Sequence, residues 1–314
     1  MTPLSLDSLQ SSRLARFARA YSLIALLVTF TGAVKAQDDE VVRVNTDLVV
    51  LNVTVMDKDG QYVPGLKLAD FKVFEEGREV PIKLISSFGA QESPFAAVIL
   101  LDTSGSMESR LSLGRSAAIR FLDGLRPEDV AAVFNFDHRV EQVQDFSSGR
   151  DLAPMAFSLR AKGMTALYDA ILRGAQTLAA RPEQRKAIVV LSDGMDTKSS
   201  ASAGKALEAA LAVNAGIYAV DMSATDGGVS KDIQSAMQLK SLAEKSGGRF
   251  IATPGGPALR DAFASIAQEL GHQYTIAFRP ADQTRDGKWR TLEVKLSRPE
   301  LTVRTRKGYR SPKR

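Results

Sequence analysis

Oxygen-bearing side chains follow two apolar runs of the sequence, at the points where each run ends. The run "FAAVILLD" ends in Asp102, and Ser104 and Ser106 follow it at spacings of two and four residues. The run "KAIVVLSD" ends in Asp193, and Thr165 precedes a predicted helix in "GMTALYDAI". None of these places holds histidine or cysteine. The set therefore offers hard oxygen ligands, which suit Mg²⁺, Mn²⁺ or Ca²⁺ rather than zinc or copper.

Apolar strands alternate with amphipathic helices around these residues. Strands are predicted at 95–102, 129–137, 186–193, 216–222 and 249–253, with an antiparallel edge strand at 140–146. Helices are predicted at about 109–124, 166–180, 203–214, 232–246 and 257–270. This alternation predicts an α/β fold with a doubly wound, mostly parallel sheet. Because ligands collect at the carboxyl ends of the strands in such sheets, we expect the oxygen clusters to meet there.

The spacing after the first strand suits a small metal ion. In an irregular loop, positions i, i+2 and i+4 can turn Asp102, Ser104 and Ser106 toward one centre, and Gly105 lets the backbone pass close by. Few charged ligands, with hydroxyls and waters completing an octahedron, favour Mg²⁺ or Mn²⁺ over Ca²⁺. Taken singly, the same residues are ordinary helix caps and turns. Their coincidence at strand ends that the topology brings together favours a metal site over capping.

The segments on both sides of the α/β region are β-rich. Residues 37–90 contain the alternating "VVRVNTDLVVLNVTVMD" and two short β segments, and residues 271–314 contain three more before a basic tail. A lone sheet of about three strands is marginal in water. We therefore expect the flanks to join in one small antiparallel β-sandwich, with the α/β domain, residues 93–270, inserted between them. Two separate flanking sheets are the alternative.

The first 36 residues have the tripartite layout of a secretory signal. Three arginines precede the apolar run "YSLIALLVTF", and the small residues Ala33 and Ala36 follow as cleavage points. We predict cleavage after Ala36 and export to the periplasm or the exterior. An uncleaved anchor is the alternative, but the run at 21–34 is shorter than the roughly 20 apolar residues that span a bilayer. Without any cysteine, the exported protein carries neither disulfides nor a lipidated cysteine.

Charge and motifs narrow the classes of partner. The whole chain has 41 Lys and Arg against 36 Asp and Glu, or +5, and after residue 36 the counts are 37 and 35, or +2. The remaining basic excess lies in residues 285–314, which we interpret as a solvated face rather than a nucleic-acid or lipid site. Phosphate-binding loops of the Gly-x-x-x-x-Gly-Lys-Ser/Thr and Gly-x-Gly-x-x-Gly kinds are absent, so no nucleotide cofactor is expected. The sequence does not indicate an oligomeric state.

The site closely resembles the metal-ion-dependent adhesion site of the von Willebrand factor type A domain, over residues 93–270. The family pattern is Asp-x-Ser-x-Ser, then a distant Thr, then a distant Asp. Five residues match it: Asp102, Ser104, Ser106, Thr165 and Asp193. The flanking stretches "DKDGQYVPGLKLADFKVFEEG" and "RTRKGYR" look like the ends of an exported bacterial family of von Willebrand factor A-related proteins, known chiefly from acidobacteria. One departure is Met164, where such domains commonly carry a second glycine.

The resemblance implies a non-enzymatic module that binds another protein. It implies that the five matching residues hold Mg²⁺ or Mn²⁺ directly or through water, and that an acidic side chain of the partner completes the coordination. Asp196 is a lesser candidate, either tuning the local charge or serving as a solvated turn residue.

Two other functions compete with this interpretation. A Mg²⁺-dependent phosphoryl-transfer hydrolase of the haloacid dehalogenase type also starts from an aspartate after the first strand, but it needs Asp-x-Asp, and Ser104 stands in the second place. A structural envelope scaffold would bind metal without metal-dependent association. The only histidines, His138 and His272, are too few for a zinc site and lack a Gly-x-Ser-x-Gly nucleophile. We therefore predict no enzymatic activity.

Overall fold

The structure is a computed structural model that describes residues 48–86, 93–148, 163–193, 195–223 and 233–313. Thr46–Arg314 form one compact unit. The predicted signal peptide, with its cleavage point at Ala36, lies outside the described residues, and so does the flank up to residue 47. Within the described ranges, no helix is both long enough and apolar enough to cross a membrane.

The described part of the chain contains fourteen strands and five α-helices. The strands are β1 (Val49–Met56), β2 (Phe71–Glu75), β3 (Arg78–Val80), β4 (Ile82–Ser86), β5 (Phe95–Asp102), β6 (Val130–Phe136), β7 (Val140–Ser147), β8 (Arg185–Ser192), β9 (Ala215–Asp221), β10 (Phe250–Ala252), β11 (Tyr274–Phe278), β12 (Trp289–Leu296), β13 (Thr302–Arg304) and β14 (Gly308–Arg310). The helices are α1 (Leu111–Asp123), α2 (Leu167–Ala179), α3 (Ala203–Ala212), α4 (Ile233–Ser246) and α5 (Gly256–Gly271). Two 3₁₀ helices span Leu68–Asp70 and Gly105–Arg110.

The central sheet has six strands in the order β10-β9-β8-β5-β6-β7. Neighbouring strands are parallel except β6 and β7, which form the predicted antiparallel edge. The chain leaves β5 toward β6 on one side and returns to β8 on the other. The order therefore reverses between β5 and β8, which is where open α/β sheets bind ligands. The predicted doubly wound, mostly parallel sheet is confirmed.

Helices cover both faces of this sheet, and for that reason all eight residues of β5 are buried. Successive side chains of a strand point to opposite faces. On one face, Ala97, Ile99 and Leu101 share a core with α1 and α5. On the other face, Ala96, Val98 and Leu100 share a core with α2, α3 and α4. An uninterrupted apolar run thus packs on two sides and carries its first polar side chain, Asp102, to the edge of the sheet.

The two β-rich flanks form a pair of four-stranded antiparallel sheets, ordered β13-β1-β11-β4 and β14-β12-β2-β3. Each sheet combines strands from before and after the α/β region, as in the pairs Leu51 with Ile276 and Val73 with Val294. Their inner faces share one apolar core. The predicted sandwich is confirmed, and the alternative of two separate flanking sheets is wrong.

Buried polar side chains join the sandwich to the α/β domain. Arg185, at the start of β8, is fully buried, and its Nη1 donates to the carbonyl oxygens of Ser93 (3.2 Å) and Gly271 (3.3 Å). These are the two places where the chain passes between the domain and the sandwich. Glu269 of α5 is also fully buried and accepts hydrogen bonds from the hydroxyls of Tyr218 (2.8 Å) and Thr54 (3.2 Å). The junction lies at the edge of the sheet where β8 begins.

Candidate metal site

The site begins with Asp102 at the carboxyl end of β5, beside Ser192 at the end of the neighbouring strand β8. The Asp102 side chain is buried, and both of its oxygens are hydrogen-bonded. Oδ1 accepts from the backbone N–H of Ser104 (2.8 Å), and Oδ2 accepts from the hydroxyl of Ser192 (2.5 Å). These two bonds fix the carboxylate between the turn after β5 and the end of β8.

Two serine hydroxyls extend this network to Asp193. Ser104 Oγ lies 3.1 Å from Ser106 Oγ, and Ser106 donates to Asp193 Oδ1 at 2.7 Å. Ser104 is the N-cap residue of the 3₁₀ helix Gly105–Arg110, which holds the two hydroxyls on one side of the turn. Four of the five predicted ligands therefore lie in one hydrogen-bonded cluster, which we call the strand-end cluster: Asp102, Ser104, Ser106 and Asp193.

The fifth predicted ligand, Thr165, is held near the strand-end cluster by backbone bonds. The N–H of Gly105 donates to the carbonyl of Gly163 (3.2 Å), which brings the loop before α2 against the turn after β5. Thr165 N–H donates to Thr197 Oγ1 (2.9 Å), and its carbonyl accepts from the N–H groups of Thr197 and Lys198. Among the described residues, no hydrogen bond joins the Thr165 hydroxyl to the strand-end cluster. The structure thus places Thr165 on an adjoining loop.

His138, which was considered from the sequence only as a zinc ligand, lies beside this loop. Gly163 has φ of +69°, and a Cβ there would lie 3.4 Å from His138 Nδ1. The His138 ring is 42% exposed and its Nδ1 lies 3.0 Å from Asp137 Oδ1. The signal was present in the sequence, because the turn after β6 also follows the carboxyl end of a parallel strand. Ligands bind at the carboxyl ends of parallel strands, so the argument that pointed to Asp102 and Asp193 applies to this turn as well.

Arg110 brings a cation to the strand-end cluster and was overlooked. Its Nη1 donates to Asp193 Oδ2 at 2.8 Å, while Asp193 Oδ1 accepts from Ser106. The Asp193 side chain is only 5% exposed and that of Arg110 24%, so the pair is largely shielded from water. Arg110 is the last residue of the 3₁₀ segment that also contains Ser106, so both side chains belong to the same short element. In the sequence, nothing distinguishes Arg110 from any other basic residue in a turn, so its pairing with Asp193 could not be predicted.

The electrostatics of Asp102 reflect its burial. Removing the carboxylate from water disfavours its charged form and raises its pKa to about 6, against the opposing hydrogen bonds from Ser192 and Ser104. The negative charge of Asp193 raises the pKa further. A cation bound nearby would stabilise the ionised carboxylate, so the cluster has the charge that a metal ion requires.

Asp196 has a different role from the strand-end cluster. Its Oδ1 accepts from the backbone N–H of Tyr168 (3.3 Å) and from the hydroxyl of Ser199 (2.5 Å), and its Oδ2 accepts from the N–H of Ser199 (3.3 Å). It therefore caps the first turn of α2 and orders the segment after β8. These bonds make Asp196 a structural residue of the turn.

The donor set fits a hard divalent cation. It consists of two carboxylates and the hydroxyls of serine and threonine, the oxygen ligands that Mg²⁺ and Mn²⁺ take together with water. In the described ranges, no group of three or more His, Cys, Asp or Glu side chains is placed to hold a metal. A metal at this position would therefore depend on the hydroxyl oxygens as well as on Asp102 and Asp193.

Comparison with known families agrees with this geometry. Residues 97–195 match the family model of the von Willebrand factor type A domain. The matched segment begins in β5, ends just after β8 and includes all five predicted ligands. This chain contains a von Willebrand factor type A domain. The narrower assignment of the whole chain to an exported bacterial family stays a prediction.

A curated relative of this chain is found at modest similarity. An uncharacterized protein of Synechocystis sp. is 35% identical over 106 residues, which cover 32% of this chain and 25% of the relative. The match thus spans about a quarter of that relative's length.

Solved structures similar to this chain include two of bacterial origin. The PilB minor pilin from Streptococcus sanguinis has a TM-score of 0.48 at 17% identity, covering 58% of this chain and 62% of the pilin. A von Willebrand factor type A protein from Catenulispora acidiphila has a TM-score of 0.48 at 13% identity, covering 86% and 75%. At TM-scores below 0.5, these likenesses carry no argument about function.

Proposed function

We propose that this protein is an exported, non-enzymatic binding module. In this proposal, Mg²⁺ or Mn²⁺ at the von Willebrand factor type A domain binds an acidic side chain of a protein partner. The observation that carries the proposal is the strand-end cluster, in which carboxylates and hydroxyls from two separate segments meet where the strand order reverses. When bound, the ion supplies an open coordination position to an external carboxylate. Asp102, Asp193, the two serines and Thr165 hold and orient it.

The charges around the strand-end cluster support an acidic partner. Asp102 and Asp193 contribute two negative charges, and Arg110 contributes one positive charge. A divalent ion therefore leaves the site with one unit of positive charge, which a single external carboxylate neutralises. Complementary charges of this kind steer the encounter and select the partner.

Met164 gives the site an apolar rim. It stands between Gly163 and Thr165 on the loop that adjoins the strand-end cluster, and 51% of its surface is exposed. Methionine is enriched in protein interfaces, where it packs adaptably against a partner. The residue that departs from the family pattern is thus well placed to contact the partner around the metal-bound carboxylate.

The position of Ser104 favours binding over catalysis. In a haloacid dehalogenase-type hydrolase, a second aspartate two residues after the nucleophile acts as the general acid. Here Ser104 takes that place, and its hydroxyl lies within hydrogen-bonding distance of Ser106. A neutral serine hydroxyl donates a proton poorly near neutral pH, so the general acid that such a hydrolase needs at this position is missing.

Calorimetric titration of Mg²⁺ and Mn²⁺ into the mature protein tests the proposal. We expect binding heat in the wild type and none in a folded Asp102→Ala, Asp193→Ala variant. Glu293→Ala, which removes an exposed carboxylate of β12, is the control and keeps the heat. A wild type that gives no heat at millimolar metal rules out a preformed site.

A second measurement separates the binding module from the scaffold. An aspartate-containing peptide immobilised on a sensor surface is offered to the metal-loaded protein. We expect an association that EDTA reverses and that the double variant lacks. Metal binding without any metal-dependent retention, on this peptide or on a glutamate-containing one, supports the scaffold.

A further inference from the structure

A small cavity lies at the opposite edge of the central sheet from the strand-end cluster. It is found where β8 and β9 begin, between the domain and the sandwich, and has a volume of about 20 Å³. Its polar lining comes from both parts: Asn52, Lys186, Asn214, Tyr218, Ser246, Gln273 and Arg306. A cavity of this size holds about one water molecule or one ion of similar size.

Arg306 is the most unusual of these residues because it is a buried cation for which the described part of the chain offers no carboxylate partner. Only 7% of its surface is exposed. Its Nη1 donates to the carbonyl of Leu211 (3.2 Å) and its Nη2 to the carbonyl of Val50 (2.8 Å). Its Nε is buried and has no hydrogen-bond partner among the described residues. Arg306 also forms no ion pair with any of these residues. Buried donors in native proteins are nearly always satisfied, so this N–H calls for an acceptor.

The charges at the cavity define what kind of acceptor fits. Burial lowers the pKa of Arg306 to about 10, so the guanidinium stays charged at neutral pH. Burial also lowers the pKa of Lys186, although the Glu183 carboxylate opposes that shift. The Tyr309 ring, whose centroid lies 5.9 Å from Arg306 Cζ, carries a neutral hydroxyl because burial raises its pKa. A buried charge that lacks a counter-charge costs several kcal/mol.

We propose that this cavity binds one small monovalent anion of the size of chloride. The Nε–H of Arg306 donates to it, and Lys186, which also lines the cavity, supplies a second cation. A water molecule would satisfy the Nε–H but would leave the guanidinium charge uncompensated. Because Arg306 belongs to the sandwich and Lys186 to the domain, the anion would join the two parts at their junction.

Thermal unfolding of the mature protein tests this site. Chloride is exchanged for gluconate at constant ionic strength and pH 7, and the midpoint Tm is followed. A ligand that binds only the folded state raises Tm with its concentration, by about 3 °C at ten times its Kd. We expect this rise in the wild type, none in Arg306→Met and a weaker one in Lys186→Met. Lys295→Met, on the exposed face of β12, keeps the full rise. A wild-type Tm that is independent of chloride means that the cavity holds water only and overturns the proposal.

Bromide provides a direct measurement that does not depend on the stability of any variant. Crystals of the mature protein soaked in sodium bromide are expected to show an anomalous peak within hydrogen-bonding distance of Arg306 Nε. A peak at that position supports the site even if Arg306→Met fails to fold. An ordered water there, with bromide bound only at the outer surface, contradicts it.

Discussion

The two edges of the central sheet use charge in opposite ways. At the carboxyl edge, the strand-end cluster is built on turns, and it combines the buried Asp102 with the exposed Ser106. At the amino edge, Arg185 and Glu269 are fully buried and bonded to groups from both the domain and the sandwich. One edge thus keeps polar groups accessible for an outside ligand, whereas the other uses them to join two parts of one chain. The same sheet separates the candidate metal site from the junction with the sandwich.

Each edge also has the residue types that suit its role. Hydroxyls and carboxylates on turns leave lone pairs for a metal ion. Arginine has five donors in a planar fork, so one side chain can satisfy several carbonyls where two segments meet. Arg185 does this with Ser93 and Gly271, and Arg306 does it with Val50 and Leu211.

The largest expected effect comes from removing the Glu269 carboxylate at the amino edge of the sheet. This carboxylate accepts from Tyr218 and Thr54 and pairs with Arg304 and, at 3.7 Å, with Arg249. Glu269→Leu leaves the buried hydroxyls of Tyr218 and Thr54 and the partly buried guanidinium groups of Arg304 and Arg249 without this acceptor. We therefore expect a loss of about 3–5 kcal/mol in the free energy of unfolding, measured with urea. Metal affinity should stay within twofold, because the strand-end cluster is untouched.

The control for this variant is Glu244→Gln, which removes an exposed carboxylate paired with Lys240 at 3.8 Å. Exposed pairs contribute little, so its effect should remain below about 0.5 kcal/mol. If Glu269→Leu loses less than 1 kcal/mol, the buried network does not join the two parts as described.

At the carboxyl edge, the pKa of Asp102 predicts a dependence of stability on pH. Its pKa is raised to about 6 in the folded state, from 3.8, so between these values the folded protein holds a proton that the unfolded chain has lost. The metal-free protein therefore loses stability as the pH rises from 4 to 6. The loss due to this group approaches about 3 kcal/mol.

The Asp102→Asn variant isolates this contribution, because an amide does not titrate. We expect the difference in unfolding free energy between wild type and variant to change across pH 4 to 6 and to stay constant above pH 7. Saturating Mg²⁺ should move the change to lower pH, since the ion favours the ionised carboxylate. A difference that does not vary with pH contradicts the burial of a titrating group at this position.

The architecture and the strand-end cluster could largely be predicted from the sequence, for a physical reason. Apolar runs buried on both faces, such as "FAAVILLD", have a simple signature, and the polar residue that ends each run must lie at the sheet edge. The partners across the cluster could not be predicted in the same way. Ser192 and Arg110 contact Asp102 and Asp193 through their own side chains, and such contacts depend on rotamers and on the register of β5 with β8.

The junction was less predictable still. Arg185, Glu269 and Arg306 look like ordinary surface charges in the sequence, because no periodicity distinguishes a buried charge from an exposed one. Their burial follows from the return of the chain into the sandwich, which brings residues more than 80 positions apart into contact, as with Arg185 and Gly271. The basic residues of 285–314, interpreted as a solvated face, include Arg306, which is buried at the junction.

A substitution at Arg110 tests how a positive charge at the carboxyl edge affects the affinity for the metal ion. Its guanidinium pairs with Asp193, so a metal ion at the strand-end cluster experiences its positive charge. Arg110→Gln removes that repulsion, and we expect Mg²⁺ to bind about tenfold more tightly in calorimetric titration, a change of about 1.4 kcal/mol. Arg110→Lys keeps the charge and should remain close to wild type. Weaker metal binding in Arg110→Gln would mean that the guanidinium orients Asp193 more than it repels the ion.

The smallest expected effect on metal affinity concerns the loop that carries Thr165. Gly163 has φ of +69°, a conformation that L-residues adopt at a cost of about 1–2 kcal/mol, and an added Cβ would lie 3.4 Å from His138 Nδ1. Gly163→Ala should therefore lower the unfolding free energy by that amount. It should also weaken Mg²⁺ binding severalfold, because the Gly105 to Gly163 bond brings the loop to the cluster.

The control is Gly60→Ala, at φ of +77° in a turn of the sandwich, which imposes the same backbone strain away from the metal site. If both variants lose stability but only Gly163→Ala loses metal affinity, the loop belongs to the site. Equal metal affinity in the two variants would instead confine the site to the strand-end cluster.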